Sequence, residues 1–512
     1  MYPNLNIPFK SQRVCAACRK GKKQCDKIIP RCSRCVQKSF RCDYTAPVDN
    51  LVSYTQISAS GEAETASIVL LSTDSCFPDL TEVGWGLLIK AVCHTSTTHR
   101  ETTGLSTLIR RILKASDTSL ASAVIKFKNT IYPWFPVVDP EALIHDIESS
   151  RDEDTDDTSA FLVLCMHILT QTPCQHETHM ASNSLYLATR RLFFLLQNTD
   201  GQLPVELLQA GILITLYECS HAIWNSAYLS LANCVALSRI AGLRPLDTDN
   251  SGNTFEKVCG SAIVLLDRLM LLLNTDNPHP SLILEEPRHD ITRPVALSDL
   301  PAFDNDSHDS AVLIKFYVTA QSAYRLGPAL RYVSLRKGGF TTPPSFESIE
   351  ASVTELTSKL LSVSQIQPLS LCDTTSFAVS VLGSLRTTHY LSEPQQMQVN
   401  PEATMSLHSV LNMAHEMVHT STQMTSNARI GDMSFIGLAS VLRATIDLVI
   451  VKGKGLDIKE WDEIEDLLLR FSKRWVTGVQ LLKEFTQHKQ AAWPTYSDAL
   501  PEVGRTNPAS VN

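Results

Sequence analysis

The 512-residue sequence lacks any long uncharged apolar run. The two longest candidates are 207–217, which stops at Glu218, and 261–273, which Asp267 and Arg268 interrupt. Both are shorter than the roughly 18 residues that a membrane-spanning helix needs. The first residues also lack the apolar core of a secretory signal. We therefore expect no membrane segment and a reducing compartment, where patterned cysteines bind metal more often than they form disulfides.

Three further patterns are missing. No collagen-like or low-complexity composition is present, no alternating strand pattern extends over any length, and no sustained heptad repeat follows the first 44 residues. The composition, 44% hydrophobic and 19% charged, is that of a globular protein. The length predicts two or more structural units.

The net charge of −8 hides an asymmetry. Residues 1–50 contain eleven Lys and Arg against three acids, a balance of +8. The rest of the chain contains 34 against 50, a balance of −16. A basic N-terminal segment followed by an acidic remainder indicates that the basic segment binds a polyanion such as double-stranded DNA.

Six of the fourteen cysteines form a doubled spacing of C-x2-C-x6-C within 28 residues. The two copies are CAACRKGKKQC (15–25) and CSRCVQKSFRC (32–42). Structural zinc takes four thiolate or imidazole ligands, so six cysteines serve two zinc ions only if two thiolates bridge. The symmetry makes the first cysteine of each copy, Cys15 and Cys32, the natural bridge. The predicted ligand sets are Cys15, Cys18, Cys25, Cys32 and Cys32, Cys35, Cys42, Cys15.

The two zinc ions are predicted to be structural. A segment of about 30 residues rarely folds without a metal or a disulfide, so metal binding and folding should be one event. Residues 15–42 resemble the fungal zinc binuclear cluster DNA-binding domain in all six cysteines, Arg19, Lys22, Asp26 and Pro30. The resemblance implies a nuclear transcription factor and the same two bridging cysteines.

The basic residues between the cysteines predict the DNA contacts. Arg19–Gln24 can form one short helix held by metal ligands, which fits a major groove. By resemblance, Lys22 reads the bases of a CGG-type triplet and Lys23 is the second choice. The other predicted contacts are to phosphates: Arg19, Lys20, Lys27, Arg34, Lys38 and Arg41. Gly21 and Gln24 stand where relatives often have basic residues, so fewer backbone contacts are expected.

The pattern predicts five regions. They are a flexible tail (1–14), the zinc cluster domain (15–44), a linker (45–80), an all-α regulatory domain (81–490) and a second flexible tail (491–512). The linker has no coiled-coil repeat, so dimerisation through the all-α domain and monomeric binding to one half-site both stay open.

Apolar residues three or four apart recur through the large domain and predict helices. Residues 131–144, 217–243 and 265–268 resemble the fungal transcription-factor middle region. That resemblance implies a regulator, and some such regulators activate secondary-metabolite gene clusters. The acidic body favours activation through the transcription machinery. Trp134 and Phe135 are predicted to pack between helices.

Two alternatives come from other patterns. His415, Glu416 and His419 form H-E-x-x-H, the arrangement of a zinc metalloprotease, although no third ligand lies near and the next glutamate is Glu460. The second alternative is a regulator that senses a small-molecule ligand and for which DNA contacts are secondary. A further cluster is expected to comprise a core thiol and surface histidines rather than a metal site: Cys165, His167, Cys174, His176 and His179. We predict a non-enzymatic transcription regulator.

Overall fold

Helices make up nearly all the secondary structure in the computed structural model. The residues that it describes are 17–18, 22–27, 32–38, 71–72, 79–80, 82–93, 104–149, 156–171, 183–197, 204–243, 254–275, 279–283, 308–338, 345–366, 371–392, 401–427, 433–452, 456 and 458–492. A cysteine cluster near the N-terminus is followed by a largely helical body, so the coarse fold prediction is confirmed.

The chain divides into two units, Met1–Ser67 and Ile68–Asn512, and each is described by itself. The finer boundaries at residues 15, 45, 81 and 491 stay predictions. The predicted tail 1–14 lies outside the described residues, as does the second tail beyond residue 492.

The described part of the first unit has cysteines as its core. Cys18, Cys32 and Cys35 are fully buried, with Ala17 and Cys25 packed against them. One helix, α1, runs from Ser33 to Gln37, and Ala17 and Cys18 are also helical. So small a set of apolar atoms cannot offset the entropy of ordering the chain, which is why metal ligation is expected to stabilise this unit.

The second unit begins with a short ladder inside the range predicted as linker. Strand β1 (Leu71–Ser72) pairs antiparallel with β2 (Asp79–Leu80). Helices follow it: α2 (Glu82–Cys93), α3 (Leu105–Ala115), α4 (Leu120–Thr130), α5 (Pro140–Ser149), α6 (Asp157–Thr170), α7 (Ser184–Leu196), α8 (Val205–Ser220), α9 (Trp224–Ile240), α10 (Thr254–Leu273), α11 (His308–Arg325), α12 (Gly327–Lys337), α13 (Phe346–Ile366), α14 (Cys372–Ser392), α15 (Pro401–Asn427), α16 (Phe435–Lys452), α17 (Ile458–Ser472) and α18 (Thr477–Ala492).

Local sequence explains where some of the helices begin and which face α3 buries. Helix α4 begins with a capping box, because Ser119 and Ser122 exchange side-chain and backbone hydrogen bonds. Asp156 is the N-cap of α6, and its carboxylate accepts the backbone amides of Thr158 and Ser159. Helix α3 buries one apolar stripe: Leu105, Leu108, Ile109, Ile112 and Leu113.

Several helices of the second unit are buried on every side over most of their length. In α6, α8, α14 and α16, every residue is buried within 160–170, 207–220, 374–390 and 435–449. A helix that is apolar all round belongs inside a large core, so these segments show little amphipathic period. Within the described ranges, no helix has the length and apolarity to cross a membrane.

Residues near the C-terminal end of the second unit donate hydrogen bonds to the ends of helices that come much earlier in the sequence. Arg474, between α17 and α18, donates from Nη2 to the Leu169 carbonyl at 2.8 Å and from Nη1 to the Gln171 carbonyl at 3.1 Å. Thr477 Oγ1 donates to the Cys219 carbonyl at 2.7 Å. These bonds satisfy carbonyls at the C-terminal ends of α6 and α8, which have no partner within their own helices.

A charged network lies in the core between α16 and α18. Arg443, fully buried, donates from Nη2 to Asp447 Oδ1 at 3.0 Å and from Nη1 to Glu484 at 3.0 and 3.1 Å. Ser384 of α14 donates to the second Asp447 oxygen. The network joins three helices through a single guanidinium, whose planar fork suits carboxylates.

The aromatic pair in the loop before α5 packs as predicted. Trp134 and Phe135 are buried, and Phe135 meets Phe316 of α11 edge to face at 5.4 Å between ring centroids. Trp134 meets Trp475 edge to face at 6.4 Å. Both rings therefore join elements distant in sequence, which confirms the packing role.

Candidate zinc cluster and DNA-binding segment

Three thiol groups of the first unit lie within ligand distance of one another. The Sγ atoms of Cys18, Cys25 and Cys32 are all within 4.8 Å, and the Cys18–Cys32 distance is 3.7 Å. A tetrahedral zinc with Zn–S bonds of about 2.3 Å places its sulfurs ~3.8 Å apart. A disulfide would need about 2.05 Å. The three residues belong to the first predicted ligand set, whose fourth member, Cys15, lies outside the described residues.

Cys32 also contacts Cys35, a ligand of the second predicted zinc ion. Its side chain is the N-cap of α1 and accepts the Cys35 amide at 3.4 Å from nitrogen to sulfur. Amides that donate to sulfur stabilise the thiolate form that binds zinc. Cys35 is buried one turn away, whereas Cys42 of the second predicted set lies outside the described residues. Zinc therefore fits the described donors, and the second ion stays a proposal.

Asp26 links the two copies of the repeat. Its carboxylate accepts the backbone amide of Ser33, the first residue of α1, at 3.1 and 3.2 Å. An acid at a helix N-terminus satisfies an unpaired amide and interacts favourably with the helix dipole. The sequence shows this acid directly after the third cysteine, but its partner is visible only in the structure.

The predicted helix over Arg19–Gln24 is wrong in its second half. Lys22 has φ of +49°, in the left-handed region, and Lys23 to Gln24 are not helical. The Lys23 amide donates to the Cys18 carbonyl at 3.0 Å, the 6→1 bond that closes a helix end. This bond and the left-handed Lys22 turn the chain before Cys25, whereas residues 19–21 lie outside the described part.

The described basic side chains differ in exposure. Lys22, Lys23 and Lys38 are exposed, and Lys27 and Arg34 are half-buried. Lys22 and Lys23 therefore present their side chains to solvent between Cys18 and Cys25, two of the predicted metal ligands. The predicted phosphate contacts Arg19, Lys20 and Arg41 lie outside the described residues.

Arg34 contacts a cysteine of the other copy. Its Nη1 donates to Cys18 Sγ at 3.7 Å, so this predicted phosphate contact also has a neighbour inside the cluster. Six thiolates and two zinc ions would carry a charge of −2, and a guanidinium beside one thiolate offsets part of it. Sequence reasoning assigned Arg34 only to DNA.

We expect replacement of Arg34 by glutamine to speed zinc loss by about tenfold. Outer groups that orient metal ligands typically change affinity by about 10–100-fold, and the half-buried position of Arg34 favours the lower end. The measurement is the rate of zinc transfer from the full chain to a chelating dye. Lys38→Gln, which removes an exposed charge at the end of the same helix, is the matched control. Equal rates in the two variants would mean that the Arg34–Cys18 contact has no effect on the metal.

The other sequence-predicted clusters lie in the second unit. Cys165 and His167 are buried in α6; burial raises the pKa of the Cys165 thiol and, with Lys126 nearby, lowers the pKa of His167 to about 4. Both groups are therefore neutral core residues, as expected for the thiol but not for a surface histidine. Cys174, His176 and His179 lie outside the described residues.

The H-E-x-x-H sequence lies on α15, which is amphipathic. Val410, Ala414 and Val418 are buried, while Glu416 and His419 are exposed. This confirms the expectation of a packing helix. The structure adds acidic neighbours from α17 that are distant in sequence, and these are described below.

Comparison with known proteins identifies the segment that contains the clustered cysteines. Residues 13–51 match the family model of the fungal Zn(2)-Cys(6) binuclear cluster domain. Transcription factor BOA15 of Botryotinia fuckeliana is 28% identical over 127 residues, which are 25% of this chain and 69% of that relative. Regulator of drug sensitivity 1 of Saccharomyces cerevisiae is 50% identical over 36 residues, 7% of this chain and 4% of that relative. No solved structure matches the chain.

These matches establish one domain of the chain and the kind of protein that it is similar to. It contains a zinc-binding cluster domain of the fungal type, and it is similar to a fungal transcription factor. Both findings support a DNA-binding transcription regulator. The resemblance of the helical body to the fungal middle region stays a prediction.

Proposed function

We propose that the chain is a nuclear, sequence-specific regulator of genes transcribed by RNA polymerase II. The observation that supports it best is the turn between Cys18 and Cys25, in a segment that matches the zinc cluster family. That turn presents Lys22 and Lys23 to solvent on a backbone fixed by two ligands of one proposed zinc ion.

In this proposal zinc has no catalytic role. Two ions hold the six cysteines, with Cys15 and Cys32 bridging, and supply the free energy that orders residues 15–44. Lys22 donates to the O6 and N7 acceptors of guanine in a CGG-type triplet, and Lys23 assists. Lys27, Lys38 and the other basic residues contact phosphates and fix the register.

The helical body is proposed to act as the regulatory part. Its charge balance of −16, together with the similarity to a protein named as a transcription factor, favours activation through the transcription machinery. Secondary-metabolite gene clusters are the proposed targets, by the resemblance of residues 131–144 and 217–243 to the fungal middle region. Dimerisation would take place through this body, because residues 45–80 offer no coiled-coil repeat.

Selection from random DNA tests the proposed specificity. The zinc-loaded full-length chain should enrich CGG-type triplets, with paired triplets at a fixed spacing if it dimerises and single triplets if it does not. The same selection after zinc removal is the control and should enrich nothing. Enrichment of unrelated sequences by the zinc-loaded chain would contradict the proposed triplet.

Replacing Lys22 should relax base preference rather than weaken all binding equally. A good contact to a guanine edge contributes ~1–3 kcal/mol of discrimination, or about 5–150-fold in affinity. Lys22→Gly is the informative variant, because glycine adopts the left-handed backbone without strain whereas alanine adds a backbone cost. The measurement compares affinity for the selected sequence and for one with a changed triplet.

Lys38→Ala is the matched control for this experiment. Lys38 is exposed at the C-cap of α1 and is assigned to a phosphate. Its loss should weaken binding to both sequences equally and reduce the salt dependence by about 0.9 in log–log slope. If Lys22→Gly instead behaves like Lys38→Ala, Lys22 is a phosphate contact.

A further inference from the structure

Two histidines of α15 face two glutamates of α17. His415 and His419 are four residues apart and so share one helix face, as do Glu460 and Glu463, three residues apart. His415 Nε2 is 3.5 Å from Glu460 Oε1, and His419 Nδ1 is 3.7 Å from Glu463 Oε2. These four side chains are called the His/Glu set below.

Within each His–Glu pair, the nitrogen–oxygen distance is longer than a strong hydrogen bond and close to the spacing of two zinc ligands. Charge-assisted N–H···O bonds are about 2.7–2.9 Å long, and both pairs are clearly longer. Two ligand atoms bound to one tetrahedral zinc at about 2.0–2.1 Å are ~3.3–3.4 Å apart. His415 Nε2 is moreover shielded from solvent and makes no hydrogen bond. A polar atom in that state is costly unless something else satisfies it.

Neighbouring side chains affect how the His/Glu set can bind an ion. His419 Nε2 lies 2.9 Å from Gln423 Nε2, which as placed donates to the ring. Metal binding through Nδ1 requires this amide to flip, so that its oxygen accepts the Nε2–H instead. That tautomer would present Nδ1 to an ion, and such outer partners commonly orient histidine ligands. The four side chains are 22–48% exposed, so the set lies at the edge of the α15–α17 contact rather than deep in the core. The exposed Lys459, 3.7 Å from Glu463 Oε1, can move away into solvent.

We propose that the His/Glu set binds one divalent transition-metal cation, of the zinc class, between α15 and α17. Imidazole and carboxylate together suit zinc, cobalt, nickel and copper, and two carboxylates neutralise a 2+ charge. Among the described residues, the three cysteines are the group whose ligand atoms already lie close enough to hold an ion. The two His–Glu pairs are further apart, so metal binding here requires the glutamate side chains to rotate and bring the pairs together. Four protein ligands make a closed, structural site.

This site is independent of the cysteine cluster and of DNA binding. Its role would be to join α15 to α17, and Glu416 of the H-E-x-x-H sequence, exposed on the helix, takes no part. An ion that binds only the folded helical body must raise its stability in proportion to the ion concentration.

Metal titration of the full chain, first saturated with zinc at its cysteines, tests the proposal. Ni²⁺ is added while heat release and thermal unfolding are followed. We expect one additional equivalent to bind and to raise the unfolding midpoint of the helical body. The double variant His415→Ala/His419→Ala should lower the affinity by at least about 10–100-fold, the range seen even for outer groups. His408→Ala, an exposed histidine of the same helix, should bind normally.

A second variant separates ligation from folding. Glu460→Gln/Glu463→Gln keeps the side-chain shape, so its fold should persist while metal binding falls. Absence of the additional equivalent in the unaltered chain would overturn the proposal. So would equal binding by the histidine double variant and His408→Ala, or glutamine variants that bind as tightly as the original. If the histidine changes lower stability although Ni²⁺ does not stabilise the unaltered chain, the four residues form two ion pairs and no metal site.

Discussion

A chain in which Cys32 is replaced by serine is expected to lose its zinc and its DNA binding together. Cys32 is fully buried, its sulfur lies 3.7 Å from that of Cys18, and it accepts the Cys35 amide at the start of α1. As the proposed bridge with Cys15, it is a ligand of both ions. Structural zinc commonly supplies about 10–16 kcal/mol of folding free energy, and the described core of this unit offers little else.

Zinc content per chain and DNA affinity measure this effect. The unaltered chain should hold two ions at its cysteines, and Cys32→Ser should fall towards none, with DNA affinity lower by on the order of a hundredfold or more. Cys372→Ser is the matched control, because Cys372 is exposed in α14 and distant in sequence from the repeat. A Cys32→Ser chain that keeps two ions would contradict the bridging assignment.

The largest expected effect in the helical body comes from Arg443→Met. The change removes the buried partner of Asp447 and of Glu484 and leaves a carboxylate in the core without its counter-ion. Burial alone lowers the pKa of Arg443, but the two carboxylates more than offset this and raise it, so the guanidinium stays charged. Breaking a buried pair from one side costs about 3–5 kcal/mol.

Tryptophan fluorescence during urea unfolding measures this loss specifically, because all six tryptophans lie after residue 80. Lys359→Met is the control: Lys359 and Glu355 also form an i,i+4 pair, but both are exposed. Exposed pairs contribute about 0–1 kcal/mol, so the control should unfold almost as the original does. Similar midpoints for both variants would show that the Arg443 network adds no stability.

The sequence predicts the composition of the site better than its shape. The doubled cysteine spacing predicts the ligands, because six thiols at repeated intervals leave few ways to satisfy tetrahedral zinc. It does not predict the backbone between them. Lys22 and Lys23 are good helix formers, yet Lys22 adopts the left-handed backbone of a turn between Cys18 and Cys25.

In the helical body, local patterns predict the helices but not their partners. The apolar stripe of α3 is visible from spacing alone. By contrast, Arg443 and Glu484 are 41 positions apart and His415 and Glu460 are 45 apart, and nothing in the sequence indicates that they meet. Such pairs depend on how helices cross in three dimensions, which single-chain periodicity does not encode.

The bonds from Arg474 to the end of α6 have a consequence for the order of synthesis. Arg474 is made 303 residues after Gln171, which at about 5–20 residues per second is a delay of roughly 15–60 s. During that interval α6 has been made but lacks the guanidinium that satisfies its last carbonyls, whereas all six clustered cysteines have already been translated. A nascent chain could therefore acquire zinc well before its helical body closes, and a chain truncated before residue 474 would retain the cluster on an unfinished body.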